Sequence, residues 1–312
     1  MNKSSRILSL GFTMVVGATA LAGTILLLSW AGRAQAEAPA PGQQPVPQAI
    51  DAQAGPPQVI ATVEFSAGIG LAPRAVGVNP ATGYVYVANG ASGDVSVVSG
   101  TEVITTLAVG DSPWAVESNP ATGYIYVANL DSDDVTVISG TGVVATLSVG
   151  TSPMYVGVNP ATGYVYVSNL ESEDVTVISG TSVITILAVG TGRHGVGVNP
   201  ATGYVYVTND DSNDVTVISG TGVVATLPVG RSPSAVGVNP ATGYVYVANG
   251  SSDDVTVISG TGVIATLPVG RFPISVGVNP VTGYAYVPAY FTDDVTVISG
   301  TSVITTLAVG TE

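Results

Sequence analysis

A unit of 40 residues repeats six times in constant register between residues 61 and 300. The block Asn-Pro-Ala-Thr-Gly-Tyr begins at Asn79, Asn119, Asn159, Asn199 and Asn239, and returns as Asn-Pro-Val-Thr-Gly-Tyr at Asn279. A fixed period of about 20 to 50 residues marks a solenoid, a propeller or an array, because one such unit cannot bury its own apolar face. The chain is therefore bound to stack its units.

Each unit contains four strand signals, here taken from the copy around residue 240. Residues 235–239 alternate apolar with small or polar side chains, and 244–249 alternate Tyr with Val. The β-branched run 254–259 follows, and 263–269 closes the set. These are strands A, B, C and D. Pro240 to Gly243 punctuates A and B, the Asn249 region turns B into C, and Ser259-Gly260-Thr261-Gly262 turns C into D. Connections this short pair neighbours as an antiparallel meander. Forty residues for four strands is the size of a propeller blade, and radial repetition protects sheet edges. Helical solenoids fail for lack of helix-period segments, and immunoglobulin-like tandems need about 100 residues per domain.

The fold class expected is thus all-β, a six-bladed β-propeller of four-stranded antiparallel blades, spanning residues 58–312 with 301–312 as the closing strand. Seven D-like segments accompany six A-B-C sets, because residues 59–65 resemble a further D strand. Both 59–65 and 303–309 then compete for a place beside 294–299. Loop-closure entropy favours the carboxy-terminal copy, joined by a tight turn. The earlier segment is left as a fifth outer strand or an edge open to a partner.

At the amino terminus, Lys3 and Arg6 precede an uncharged stretch from residue 7 to residue 32, and Ala34-Gln35-Ala36 offers a small-residue cleavage site. Such a run is longer than a signal-peptide core of about 7 to 15 residues and exceeds the roughly 20 that cross a bilayer. Residues 1–36 read as a cleaved signal peptide or an uncleaved anchor helix, and both place the remainder outside the cytoplasm. Membrane contact is expected only through residues 7–32, if they are retained. Residues 37–57, rich in Ala, Pro and Gln, read as a linker.

Beyond Ala36 stand four arginines, no lysine and all 21 acidic residues, a formal charge of −17. That balance disfavours nucleic acid and anionic membrane as main partners. There is no cysteine and a single histidine, His194. No disulfide framework or thiolate metal site is available.

The strand B motif Tyr-Val-Tyr-Val-Ala-Asn at Tyr84 and Tyr244, its Tyr-Val-Tyr-Val-Thr-Asn form at Tyr204, the following Asp-Val-Thr-Val-Ile and the preceding Val-Gly-x-x-Pro together resemble the YVTN-type β-propeller repeat proteins. The likeness covers about residues 58 to 310. It implies a cell-surface or surface-layer-like protein, although propellers of that group are commonly seven-bladed.

Differences among the units point to sites. A propeller places its AB and CD loops on one face and its DA and BC loops on the other, and nearly all the variety falls on the second. Arg74, Arg193, Arg231 and Arg271 sit in DA loops or at the start of A, while acidic residues crowd the BC loops. Blade 6 departs furthest, with Phe272 beside Arg271 and with Tyr290 and Phe291 in its BC loop. Exposed aromatics beside arginine are typical of binding hot spots. Arg74, Arg231, Arg271, Phe272, Tyr290 and Phe291 form the candidate ligand site, suited to an anionic or carbohydrate-like group. The alternative is loop drift and packing at a closing blade.

Glu117 replaces a recurrent glycine beside the axis. With Trp114, Arg193 and His194 it forms a second candidate cluster at the channel mouth, or is a solvent-facing substitution. Trp114, Met154 and Tyr155 read as an apolar wall or as packing between blades. Asp131, Asp133 and Asp134 are weak calcium candidates, since they lack EF-hand spacing and glycine. The recurrent Asp that opens strand C reads as a turn cap for backbone amides. No catalytic constellation surrounds His194, and no cofactor is expected apart from calcium.

The functional expectation is a non-enzymatic extracytoplasmic binding or scaffold protein, its partner a cell-envelope protein or glycan. Two alternatives are a lactonase-like or lyase-like propeller enzyme with a site at the channel mouth, and a structural surface-layer subunit that self-associates through residues 58–66.

Overall fold

The computed structural model describes residues 70–192 and 195–310, together with the backbone of two further strands, Ile25–Ser29 and Gln58–Val63. The leader and linker expectations otherwise lie outside the described residues. Six four-stranded antiparallel sheets follow one another, each built from one A-B-C-D set in sequential order. In blade 5 the strands are Pro233–Val238, Tyr244–Asn249, Asp254–Ser259 and Gly262–Pro268.

The register explains the turn sequence. Ser259 pairs with Gly262, so Gly260 and Thr261 form a two-residue hairpin. Gly260 supplies the positive φ, 58°, that such a loop requires. A bulge between Val257 and Ile258, matched by one between Pro233 and Ala235, adds the local twist that blades use to splay outward.

Strands B and C are buried on both faces, which is why they read as continuous Val, Tyr and Ile runs. Tyr246, Val245, Val247, Val255, Val257 and Ile258 are all fully buried. Five apolar clusters each span two blades: Tyr206, Val215 and Val217 of blade 4 pack on Val245, Val247 and Ile258 of blade 5, while a small sixth cluster, around Val87 and Val98, lies within blade 1. The core is therefore a series of seams between blades.

Three contacts recur at those seams. The second tyrosine of strand B donates its hydroxyl to a glycine carbonyl in the CD turn of the next blade: Tyr86 to Gly140, Tyr126 to Gly180, Tyr166 to Gly220, Tyr206 to Gly260 and Tyr246 to Gly300, at 2.9 to 3.1 Å. The Asn of Asn-Pro donates Nδ2 to the AB-turn glycine carbonyl of the next blade, as in Asn79 to Gly123 at 3.0 Å. Nearest the axis, a glycine of strand A lets the next blade's valine approach. A Cβ on Gly77, Gly157, Gly197 or Gly237 would meet Val116, Val196, Val236 or Val276 at 2.6 to 2.9 Å.

The far flank of blade 6 lacks these contacts. A Cβ on Gly277 would meet nothing within 4 Å. Among the described residues, neither the Tyr286 hydroxyl nor Asn279 Nδ2 makes the inter-blade bond of its counterparts. Leu307 is 46% exposed, whereas its counterparts Leu107, Leu147 and Leu187 pack into inter-blade clusters. Among the described residues, five seams between consecutive blades are thus clamped, and none of these clamps joins blade 6 to blade 1.

The carboxy-terminal segment Ser302–Ala308 completes blade 6 as its D strand, in agreement with the loop-closure argument. The other D-like segment does not join that blade as a fifth outer strand. Gln58–Val63 instead pairs antiparallel with Ile25–Ser29.

The seam bonds set two expectations. Tyr206→Phe removes a hydroxyl from a partnered site and lowers unfolding free energy by about 1 kcal/mol, while Tyr286→Phe leaves it unchanged; equal effects in denaturant titrations would contradict the inequality of the seams. Burial, and secondarily the neighbouring strand B tyrosine, pushes the phenols of Tyr126, Tyr166 and Tyr206 up to about 12. The folded state holds these protons while an unfolded chain loses them near pH 10.0. Stability present below pH 10 is then lost as pH approaches about 12, and tyrosinate absorbance measured alongside circular dichroism should rise with unfolding over that interval.

Candidate functional site

The DA and BC loops are tied to one another on one face of the disc. In blade 2, Leu130 N donates to Ser112 O and Asp131 N to Asp111 O; in blade 6, Tyr290 N donates to Phe272 O and Phe291 N to Arg271 O. The tyrosine and asparagine clamps use the AB and CD turns, on the opposite face. Sequence variation is tolerated where the clamps are not.

The crossing of each pair of loops requires a left-handed residue. Ala72, Ser112, Ser152, Gly192, Ser232 and Phe272 all have positive φ, between 51° and 103°. Small residues fill this position in five blades. Phenylalanine at φ 56° is an outlier for a bulky side chain, and such strain, about 1 to 3 kcal/mol, persists where surrounding contacts enforce it.

Those contacts are aromatic. The Phe272 ring lies 5.4 Å from that of Phe291, and Phe291 stands edge-on to Tyr290 at 5.0 Å. Tyr290 and Phe291 are 63% and 59% exposed, and Phe272 is 40% exposed. The Phe272 ring edge would touch a Cβ on Gly250 at 3.6 Å, and Phe272 N donates to Asp253 Oδ1 at 2.9 Å. Ser251, next to Gly250, accepts a bond from the Arg231 guanidinium at 3.3 Å. Arg231, Phe272, Phe291 and Tyr290 thus form one continuous strip over blades 5 and 6, with Arg271 in the same loop.

Arg74 belongs to a different cluster. Its guanidinium carbon lies 4.2 Å from the centroid of the Trp114 ring, a cation–π contact between blades 1 and 2. Gly90 makes room for the arginine stem, since a Cβ there would meet Arg74 Nε at 2.3 Å. Arg193 and His194 lie outside the described residues.

Glu117 occupies the strand A position that is glycine in the other blades. Water reaches it, yet surrounding protein walls desolvate the carboxyl and raise its pKa above the ordinary 4.5, against a smaller opposing pull from the Ser118 backbone amide at 3.3 Å. The three aspartates considered for calcium are spent separately: Asp131 on the Ser112 hydroxyl, Asp133 on Ser152 N and Asp134 on Asn129 Nδ2. Among the described residues, no three His, Cys, Asp or Glu side chains converge as metal ligands would.

One network was not anticipated. The Asn that ends strand B donates Nδ2 to the Asp five residues later and to the Thr or Ser seven residues later. Asn249 does so to Asp254 Oδ1 at 2.7 Å and to Thr256 Oγ1 at 2.9 Å, and blades 1 to 4 repeat the pattern. The recurrent Asp is therefore chiefly a side-chain acceptor within the sheet, although Asp94 also faces the Gly70 amide at 3.4 Å. The Asn-x4-Asp-x-Thr spacing was the signal available in the sequence.

The raised carboxyl of Glu117 yields a pH test. Protonation is favoured in the fold, so the stability it contributes is present below the ordinary glutamate pKa and is lost as pH rises through the higher folded value. Glu117→Gln should melt with the wild type in acid and above it at neutral pH. A constant offset at every pH would place the cause outside ionisation.

No family model matches the chain, and no curated protein does. Solved structures do. Hydrazine synthase of Kuenenia stuttgartiensis aligns at 21% identity and a TM-score of 0.60, over 78% of this chain and 87% of that one. Virginiamycin B lyase of Staphylococcus aureus aligns at 9% identity and a TM-score of 0.62, over 78% and 86%. A 6-phosphogluconolactonase-like protein of Bacteroides uniformis aligns at 14% and 0.57, over 80% and 89%. At these identities the likeness is one of fold, and the fold is that of a β-propeller.

Proposed function

We propose that this chain is a non-enzymatic, extracytoplasmic binding or scaffold protein of the YVTN-type repeat class, presenting the DA and BC face at the cell surface. The observation that carries the reading is the aromatic strip on blade 6, where Phe272 is held in a strained backbone conformation and three rings stand exposed beside Arg271. Strain at an exposed aromatic is not needed for folding, because the other five blades use small residues there. Its partner is a cell-envelope protein or glycan, with the rings stacking on an apolar or sugar surface and Arg271 meeting an anionic or polar group.

A second reading draws on Glu117. A carboxyl of raised pKa beside the axis is a feature of catalytic sites, and propeller neighbours include a lyase. An enzyme of lyase or lactonase type would use Glu117 with Arg193 and His194, and metal retained stoichiometrically after dialysis but lost on Glu117→Ala would favour it.

The binding reading is tested with a glycan array and pull-downs from envelope fractions. Arg271→Ala with Phe272→Ala should weaken capture at least about tenfold, the loss typical of one or two hot-spot residues. Phe272→Ser, which restores the residue of blades 2, 3 and 5, should weaken it too while melting no lower than the wild type. Undiminished capture by both variants would remove the strip as the binding site.

A further inference from the structure

Blade 6 breaks the Asn–Asp–Thr network in one place. Ala289 stands where the other five blades carry asparagine, while Asp294 and Thr296 remain. In blades 2 to 5 the asparagine Nδ2 donates to the Asp Oδ1 at 2.6 to 2.7 Å and to the Thr Oγ1 at 2.9 Å. In blades 1 to 5 the network leaves the asparagine Oδ1 buried without a partner, whereas in blade 6 it is Asp294 Oδ1 and Thr296 Oγ1 that are buried with no hydrogen-bond partner. Thr296 is 1% exposed and Ala289 4%.

A buried carboxylate oxygen and hydroxyl without a donor are costly. Both groups face the place from which an N–H₂ elsewhere serves them, so the chemistry they accept is defined by subtraction: a small group with at least two hydrogens to donate. An ammonium nitrogen supplies three donors, needs no acceptor, and matches the charge of Asp294.

The segments above this pair are the ones that diverge. As at Gly150 and Gly230, the DA loop crosses so closely that a Cβ on Gly270 would collide with the Asp294 carboxylate and the Ala289 side chain. The loop continues into Arg271 and Phe272, which bond to Phe291 and Tyr290. Loss of the asparagine and gain of the aromatics therefore occur together, within adjoining residues of one blade.

We propose that Asp294 and Thr296 form a site for a primary ammonium group, admitted by the replacement of asparagine with Ala289. The nitrogen donates to Asp294 Oδ1 and Thr296 Oγ1. It takes the role of the missing carboxamide. The site uses different atoms from the aromatic strip, so Phe272→Ser leaves the ammonium response intact even where envelope binding is lost.

Thermal melting of the whole chain in ammonium, methylammonium or cadaverine, against sodium and tetramethylammonium at equal ionic strength, tests the assignment. The wild type should melt higher in at least one of the first three than in sodium or tetramethylammonium, which donate no hydrogen. Ala289→Asn should melt above the wild type in sodium and lose the amine-dependent rise. A response to ammonium or methylammonium alone identifies a small free cation, and one that extends to cadaverine an alkyl amine such as a lysine side chain. No amine-dependent rise in the wild type, or an equal rise in Ala289→Asn, overturns the site and leaves a water as the donor.

Discussion

A tyrosine hydroxyl reaching a glycine carbonyl in the neighbouring sheet, above a glycine pressed by the neighbour's valine, is the contact on which the molecule depends. Neither blade of a pair completes its core alone, since the five large apolar clusters draw residues from two blades each. The two contacts also act at different radii. The Gly–Val approach sets how near the strands come beside the axis, and the Tyr–Gly bond fixes one strand B against the CD turn beyond it. Near-identity of the repeats follows from this, because a change in one unit alters a surface that its neighbour must match.

The same constraint shows in what the far flank of blade 6 lacks. Gly277 has no valine against it, Tyr286 lacks the clamp, and Leu307 is half exposed. Side chains that suit an internal seam are retained there without the surface that would bury them. Blade 6 also has the shortest strand A, Gly277–Val278, with Pro273 joined to Ala289 only by an isolated bridge. Freed from matching a following blade closely, this unit tolerates Pro288, Ala289, Tyr290 and Phe291 where the others keep Ala, Ser or Thr, then Asn, then Gly, Leu or Asp, then a small or acidic residue.

Much of this architecture was legible in the residues. Period, turn glycines and β-branched runs are local signals, and they place the four strands of each blade, the CD hairpin and the separation of the two loop faces. The carboxy-terminal D strand was legible too, because a tight turn makes its pairing cheap in entropy. What escaped were contacts whose partners are distant in sequence. The Arg74–Trp114 stacking joins side chains 40 positions apart, and no local pattern separates it from an arginine free to join a ligand site with Arg271. The glycine of strand A also read as an ordinary small residue, whereas its reason lies in a valine one blade away. The Asn–Asp–Thr network was local and repeated. It was missed because asparagine and aspartate at a strand end are so readily explained as turn formers.

Position in the disc then links structure to function. The face that carries the clamps cannot vary, and the face that carries the DA and BC loops can, so new chemistry accumulates on the second. Within that face the terminal unit has the most freedom, and blade 6 has both lost a buried donor and gained three exposed rings. A drifting loop would be expected to relax toward small residues at a left-handed position; Phe272 at φ 56° goes the other way. Internal packing does not account for that direction, because Tyr290 and Phe291 remain more than half exposed after the rings have met.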